Sequence, residues 1–291
     1  MFKKFASTII LVALIFANIF VWLKVATSTY QYNMLEVTFL DVGQGDAIFI
    51  EAPNGNQVLI DTGPTDVVIR KLSEILPYYD RYIDIVLTTH PDLDHIGGAP
   101  AIFNRYKIGT YIFYENAPMS DAIERINESI SDNNIATGHV RAGDRIILDV
   151  ARNIYLDVLW PSDAYATDDK NDMSIITKLV YGESDVLLTG DASSKIERIL
   201  LSEYADDASG TYLQSDILKL GHHGSKTSSA EAFLKSVMPD FAIVSAGLNN
   251  RYRHPSAEVV ERLERLSFPI IKTTDRGSVI FRTDGATWWR D

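Results

Sequence analysis

The chain has 291 residues, 46% of them hydrophobic and 23% charged, so it carries enough apolar material for a sizeable core and does not read as disordered. It contains no cysteine, which excludes a disulfide framework, a thiolate zinc site and a cysteine nucleophile. The net charge of −12 opposes polyanions at long range, but it is uneven: residues 217–291 hold 11 Lys+Arg against 8 Asp+Glu, and residues 1–216 hold 16 against 31.

The N-terminus opens Met1-Phe2-Lys3-Lys4 and continues as FASTIILVALIFANIFVWL over residues 5–23, without a charge. Such a run is long enough to span a bilayer as a helix, and the two lysines favour a cytoplasmic N-terminus. The expected organisation is a signal anchor or signal peptide over 1–26, a polar linker over 27–34 and one domain over 35–291. An uncleaved anchor is preferred, with a cleaved secretory signal and a buried core helix as alternatives. The domain would then be extracytoplasmic, membrane-anchored or secreted.

Strands are expected at Glu36–Leu40, Ala47–Ile50 and Gln57–Ile60, the last after the turn Pro53-Asn54-Gly55-Asn56. A helix over Val67–Leu76 precedes a buried strand over Ile83–Thr88. Further strands are expected at Tyr111–Tyr114, Arg145–Leu148, Ile154–Leu159, Ser174–Val180 and Val186–Thr189, with an amphipathic helix over Ala117–Ile130. From Ser193 onward helix and strand alternate: helix Ser193–Tyr204, strand Ile217–Leu220, helix Ala230–Val237, strand Phe241–Ser245 and helix Ser256–Leu266. Strands near Ile270–Thr273 and Ser278–Arg282 close the chain. Two sheets between helices fit this order.

Three strand ends deliver residues suited to metals. After Ile83–Thr88 come His90, Asp92, Asp94 and His95 within six residues. Imidazole and carboxylate together suit Zn, Mn or Fe, and a second metal would need a bridging carboxylate. Val186-Leu187-Leu188-Thr189-Gly190-Asp191 delivers one Asp, a weak signal by itself because many strand ends carry a capping Asp. Ile217-Leu218-Lys219-Leu220-Gly221-His222-His223 delivers two histidines. Four of the six histidines in the chain lie in these motifs.

The segments LEVTFLDVGQGDAIFIEAPNGNQVLIDTG, TTHPDLDHIGG, NDMSIITKLVYGESDVLLTGD, LKLGHHGSKTSS and NRYRHPS, in this order between Leu35 and about Phe281, resemble the metallo-β-lactamase superfamily. The resemblance is to its ComEC/Rec2 competence-protein hydrolase branch. It implies a four-layer αββα sandwich and two divalent metal ions, Zn or Mn. His90 and Asp92 match ligands of one metal, Asp94 and His95 those of the other, and Asp191 the bridging carboxylate. One or both of His222 and His223 should complete the site, with His223 preferred as ligand and His222 as a substrate contact. Asp61 matches a carboxylate that supports the metal loop. Asp41 and Asp46 flank a glycine turn expected near the cleft, or simply a plain turn. The wider superfamily has a ligand histidine some 20 residues before the bridging Asp. Here that stretch reads Asp169-Lys170-Asn171-Asp172, so Asn171, Asp172 or a water is left for the position, which tilts the site toward Mn. His139 lies elsewhere and is expected at the surface.

The implied chemistry is hydrolysis by metal-activated water, with Asp94 able to take the proton. His254, in Arg251-Tyr252-Arg253-His254-Pro255, resembles a late histidine of the branch; with Arg251, Arg253 and Lys226 it would meet an anionic substrate. The leading expectation is a phosphodiesterase or nuclease acting outside the cytoplasm, on a phosphodiester such as DNA, with residues 5–23 in the membrane. A cell-envelope phosphodiesterase that removes phosphorylcholine, and a metal-stabilised DNA-binding or assembly component without turnover, are the alternatives. The sequence leaves the oligomeric state open.

Overall fold

The computed structural model describes residues 12–22, 34–113, 119–162, 165, 167, 169–204, 211–248 and 250–291. A helix, α1, covers residues 12–22, and its described side chains are all exposed. The remainder of 5–23 and residues 27–33 of the expected linker lie outside the described residues. Among the described residues no helix is long and apolar enough to cross a membrane.

The first sheet has eight strands: β1 (Leu35–Phe39), β2 (Ile48–Glu51), β3 (Gln57–Ile60), β4 (Tyr82–Leu87), β5 (Lys107–Ile112) and β6 (Ala136–Gly138), with β14 (Val279–Thr283) and β15 (Trp288–Arg290) added beside β1. The second sheet has seven: β7 (Arg145–Asp149), β8 (Ile154–Trp160), β9 (Ile176–Tyr181), β10 (Ser184–Leu188), β11 (Ile217–Lys219), β12 (Phe241–Val244) and β13 (Ile270–Lys272). Both are mixed. β3 to β6 run parallel, as do β10 to β13, so each group delivers its carboxyl ends to one edge.

The layers follow from alternation along the strands. Leu35, Val37, Phe39, Val58 and Ile60 of the first sheet meet Leu156, Val158, Val186, Leu188 and Ile217 of the second in a central core. The opposite face of the first sheet, with Phe49, Leu59 and Val86, is covered by α2 (Val67–Ile75), the single turn α3 (Leu93–Ile96), α4 (Ala99–Arg105) and α5 (Asp121–Asn133). The outer face of the second, with Leu187, Leu218 and Val244, is covered by α6 (Ser194–Glu203), α7 (Glu231–Val237) and α8 (Ala257–Arg265); a last short turn, α9 (Thr273–Arg276), follows β13. The result is the expected four-layer αββα sandwich. Each fully buried aliphatic or aromatic side chain in these layers contributes about 1.5–3 kcal/mol of transfer free energy.

Most elements fall within a few residues of their expected bounds. β5 starts at Lys107, earlier than Tyr111, because Gly109 sits inside it and weakens the strand pattern. A side chain there would meet Asp84 O at 2.5 Å. α5 starts at Asp121 on an N-cap, Ser120 Oγ accepting from Ile123 N; the expected start at Ala117 lies outside the described residues. β6, β15 and α4 are not evident in the sequence pattern. The two strands are three residues each and largely exposed.

Candidate metal centre

The centre is assembled where the parallel strand ends of the two sheets meet. After β4 the chain turns through Thr89, His90 and Pro91 into α3, for which Asp92 O accepts from His95 N and Ile96 N. That turn aims His90, Asp94 and His95 toward the second sheet. Asp191 follows β10 through Gly190, which adopts φ +50°, and Asp191 N donates to Ser174 Oγ at 3.0 Å. His222 and His223 follow β11, and both take left-handed backbone conformations, φ +46° and +55°. Such strain costs of order 1–3 kcal/mol per residue and concentrates at functional sites. It also splays the two rings, which stand 6.2 Å apart at 71°.

The donor atoms form two groups that share Asp191. In one, His90 Nε2 lies 3.8 Å from Asp92 Oδ2 and 3.7 Å from Asp191 Oδ2. In the other, His95 Nε2 lies 3.3 Å from Asp191 Oδ1, and His223 Nε2 lies 3.4 Å from Asp94 Oδ2 and 3.5 Å from Asp191 Oδ2. Donors bound tetrahedrally at zinc-like bond lengths stand about 3.4 Å apart, which these spacings match. Nε2 of His90, His95 and His223 and Oδ1 of Asp191 are all buried without a hydrogen-bond partner. Buried polar atoms rarely go unpaired, and four gathered in these two groups fit the residues to divalent cations.

Charge states agree with this arrangement. Burial, with His95 alongside, pushes the His90 imidazole down to about 3, so it is neutral with a free lone pair. Burial works against a proton on His223, but Asp191 and Asp46 outweigh it and lift the imidazole to about 9. Burial likewise opposes protonation of His95, which Asp191 and Asp61 raise well above its ordinary value. Burial would raise Asp191 and Asp94, yet the surrounding imidazoles hold both carboxyls below the usual range. Bound cations would displace the two imidazolium protons.

Both of the histidines that meet Asp191 at this second group have a carboxylate behind them. His95 Nδ1 lies 2.7 Å from Asp61 Oδ2, and Asp61 also accepts from Thr89 N at 2.7 Å and Thr89 Oγ1 at 2.8 Å. His223 Nδ1 lies 3.4 Å from Asp46 Oδ1. Asp46 is thus close enough to be counted with His95, Asp191 and His223 as a metal-binding group. It faces the rear nitrogen of His223, however, and we assign it to orienting that ring. Asp41, the other acid of the same turn, points away to Lys71 at 3.8 Å. Gly45 between them packs against the metal turn: a Cβ there would lie 2.0 Å from Asp94 O.

The remaining expected residues separate. Asn171 Nδ2 lies 3.4 Å from His222 Nδ1, whereas Asp172 is buried against Ser193 Oγ at 2.5 Å and Lys195 Nζ at 3.5 Å. Of the two, Asn171 is the one near the site. His222 Nε2 stands 3.9 Å from Asp191 Oδ2, at the rim and partly exposed. His254 meets it edge-on with ring centroids 5.5 Å apart, and burial with His222 and His223 pushes His254 down to about 4. Arg251 lines a cavity of roughly 420 Å³ with Asp94, Gln44, Leu93 and Tyr252. Arg253, in a left-handed conformation, lines a different cavity with His254 and Lys272. Lys226 is exposed beyond His223, and His139 is exposed, packed on Phe113.

The superfamily profile described as metallo-beta-lactamase matches residues 40–247, most of the chain. The chain belongs to the metallo-β-lactamase superfamily. This metallo-β-lactamase-fold chain is similar to ComE operon protein 3 of Bacillus subtilis, 30% identical over 264 residues, covering 85% of this chain and 33% of that protein. It is 32% identical over 254 residues to Recombination protein 2 of Haemophilus influenzae, covering 84% and 28% respectively. The chain therefore spans about a third of the length of these curated relatives. Among solved structures, YhfI from Bacillus subtilis superimposes with TM-score 0.56 at 13% identity, over 86% of this chain and 99% of that one. Igni18, a metallo hydrolase from Ignicoccus hospitalis, gives 0.55 at 17% identity over 85% and 98%. These likenesses establish the fold. Together with the buried Asp/His cluster they make this a metal-dependent hydrolase fold related to competence proteins.

Proposed function

We propose that the chain is a metal-dependent phosphodiesterase with nuclease activity, acting on DNA outside the cytoplasm. The observation that carries this is the pair of donor groups sharing Asp191, which is the arrangement for two divalent ions. Such ions, when bound, activate water and polarise a phosphoryl oxygen. His90, Asp92 and Asp191 would hold one and Asp94, His95, His223 and Asp191 the other, with Asn171 and His222 beside the first.

The chain's own groups then do the rest. Asp94, whose Oδ2 lies 3.4 Å from His223 Nε2, would serve as a ligand and could also take the proton from the activated water. Burial with His222 and His223 keeps His254 neutral, and its Nδ1 has no partner, so the ring would offer a hydrogen-bond acceptor beside His222. Arg251 and His222 border the cleft where a phosphate would sit. Arg253 and Lys226 lie farther out and would meet flanking phosphates.

One feature favours a nucleic acid over phosphorylcholine. The half-exposed Tyr252 ring in the cavity next to Asp94 already carries the Arg251 guanidinium 4.6 Å from its centroid. A cation on that ring repels a quaternary ammonium, whereas aromatic-plus-arginine surfaces stack bases. Names of the relatives, Recombination protein 2 and Competence protein ComA, point the same way. The exposed apolar side chains of α1, including Phe16, Phe20 and Trp22, support a membrane contact, and Lys3 and Lys4 ahead of the apolar run favour a cytoplasmic N-terminus.

The test is incubation of the full chain with single-stranded DNA, a phosphorylcholine ester and a small chromogenic phosphodiester, in Mn²⁺ and in Zn²⁺. DNA cleavage that an Asp191→Ala variant loses by at least about a thousand-fold is expected. Binding of DNA without turnover in every metal, or equal cleavage by the variant, would remove the nuclease reading.

A further inference from the structure

Lys219 is the last residue of β11 and shares the inter-sheet face with Ile217, so strand alternation sends its side chain into the sandwich interior. It is 0% exposed, an unusual place for an ammonium. Its Nζ lies 2.7 Å from Asp46 Oδ2 and donates to Leu220 O at 3.0 Å. Asp46 is itself 1% exposed, and its second oxygen is the one facing His223 Nδ1. Lys219 and His223 lie on the same strand-to-turn segment. Asp46 arrives from the other sheet, fixed by Gly63 N donating to Asp46 O at 2.8 Å and Asp46 N donating to Asp94 O at 3.3 Å.

A buried ion pair is poor value as a fold stabiliser, because an apolar pair of similar volume does as well without desolvating two charges. The pair therefore calls for another role, and its geometry supplies one. We infer that Lys219 is a positioning residue: it clamps one oxygen of Asp46 so that the other faces Nδ1 of His223, 3.4 Å away, and keeps Nε2 turned toward Asp94 and Asp191. Lys219 has no exposed surface, and its side-chain partners are Asp46 and Leu220 O, so it reaches the centre through Asp46. The equivalent support for His95 is built differently, with Thr89 N and Thr89 Oγ1 as the other partners of Asp61. The inference rests on His223 as a metal ligand in the proposed function.

An amide at position 46 separates positioning from simple packing. With Lys219 present, the ammonium takes the amide oxygen of an Asp46→Asn variant, leaving NH₂ against His223 and forcing the ring proton onto Nε2. That tautomer cannot bind a metal. In Asp46→Asn/Lys219→Met the amide is free to turn and present its oxygen, and no buried charge is left unpaired. Full-length protein stripped of metal is titrated with Zn²⁺ by calorimetry, with circular dichroism as the folding check. Wild type should bind two equivalents, Asp46→Asn should bind the second at least about ten-fold more weakly, and the double variant should recover most of that loss. Should Asp46→Asn not fold, the double variant still decides, since its second equivalent is expected within about ten-fold of wild type. A double variant no better than Asp46→Asn, or one that has lost the second equivalent, overturns the positioning role alone. A wild type that binds no divalent ion overturns the metal reading and this inference together.

Discussion

The first sheet supplies four donors, His90, Asp92, Asp94 and His95, from one turn after β4, whereas the second supplies Asp191, His222 and His223 from the ends of two adjacent parallel strands. Their supports differ in the same sense. The His95 arm is braced within its own sheet, by Asp61 at the end of β3 and Thr89 at the end of β4. The His223 arm is braced across the molecule, by Asp46 from the first sheet and Lys219 from the second. A clustered ligand set can be held locally; a dispersed one depends on how the sheets dock.

The sharpest way to break that contrast is at the glycine turn that carries Asp46. Gly43 and Gly45 both have positive φ, +85° and +119°, but a Cβ on Gly43 meets nothing within 4 Å while one on Gly45 meets Asp94 O. Gly45→Ala is expected to cost about 3 kcal/mol, and Gly43→Ala about 1 kcal/mol. Urea unfolding of the two variants checks this, and equal losses would mean that the turn does not bear on the metal loop.

The local brace is next in expected effect. Asp61 accepts three hydrogen bonds from Thr89 N, Thr89 Oγ1 and His95 Nδ1. An Asp61→Asn amide must turn NH₂ toward one of those donors. Metal affinity should fall about 10- to 100-fold, with the loss falling on the equivalent that His95 holds. Calorimetric titration showing unchanged affinity would contradict the orienting role of Asp61.

A pH-dependent effect tests the support beneath the second-sheet loop. Glu197 of α6 is 2% exposed and accepts from Ser229 N at 2.5 Å and Ala230 N at 2.8 Å, just past the histidine turn. Burial pushes its carboxyl up to about 7, against the backbone donors and Arg262. The folded state thus holds this proton more tightly than the unfolded chain. Its contribution is fully present below the ordinary glutamate pKa and is lost as pH rises through about 7. Relative to Glu197→Gln, wild type should lose about 3 kcal/mol of stability between pH 4.5 and pH 8. Parallel stability profiles for the two proteins would show that Glu197 does not titrate in this window.

The same contrast governs what is legible in the sequence. His90, Asp92, Asp94 and His95 stand out because an ordinary polar loop after a buried strand seldom packs four metal donors into six residues. Asp191 and the histidine pair become persuasive only in combination with them. Asp46 and Lys219 are invisible as partners: one follows an ordinary-looking glycine turn and the other ends an ordinary-looking strand, and only the docking of two sheets joins them. Asn171 and Asp172 are neighbours in sequence, yet in the turn at Asn171–Met173 they meet different partners, His222 and Ser193. Arg251 and Arg253 are two residues apart and line separate cavities because Arg253 is left-handed. Fold layers are readable because alternation and helix periodicity repeat over many residues, whereas three-residue edge strands such as β6 and β15 are too short to do so.

Because Asp191 belongs to one sheet and His90 and His95 to the other, an ion lodged among them acts as a rivet through the seam. Each ion present at a hundred times its dissociation constant would add about 2.7 kcal/mol against unfolding. A chelator should therefore do more than silence the protein: it should loosen the joint between the layers and open the bordering loops to proteases. Retention of the ion then reports, in a single number, whether the two halves of the chain have closed on each other correctly.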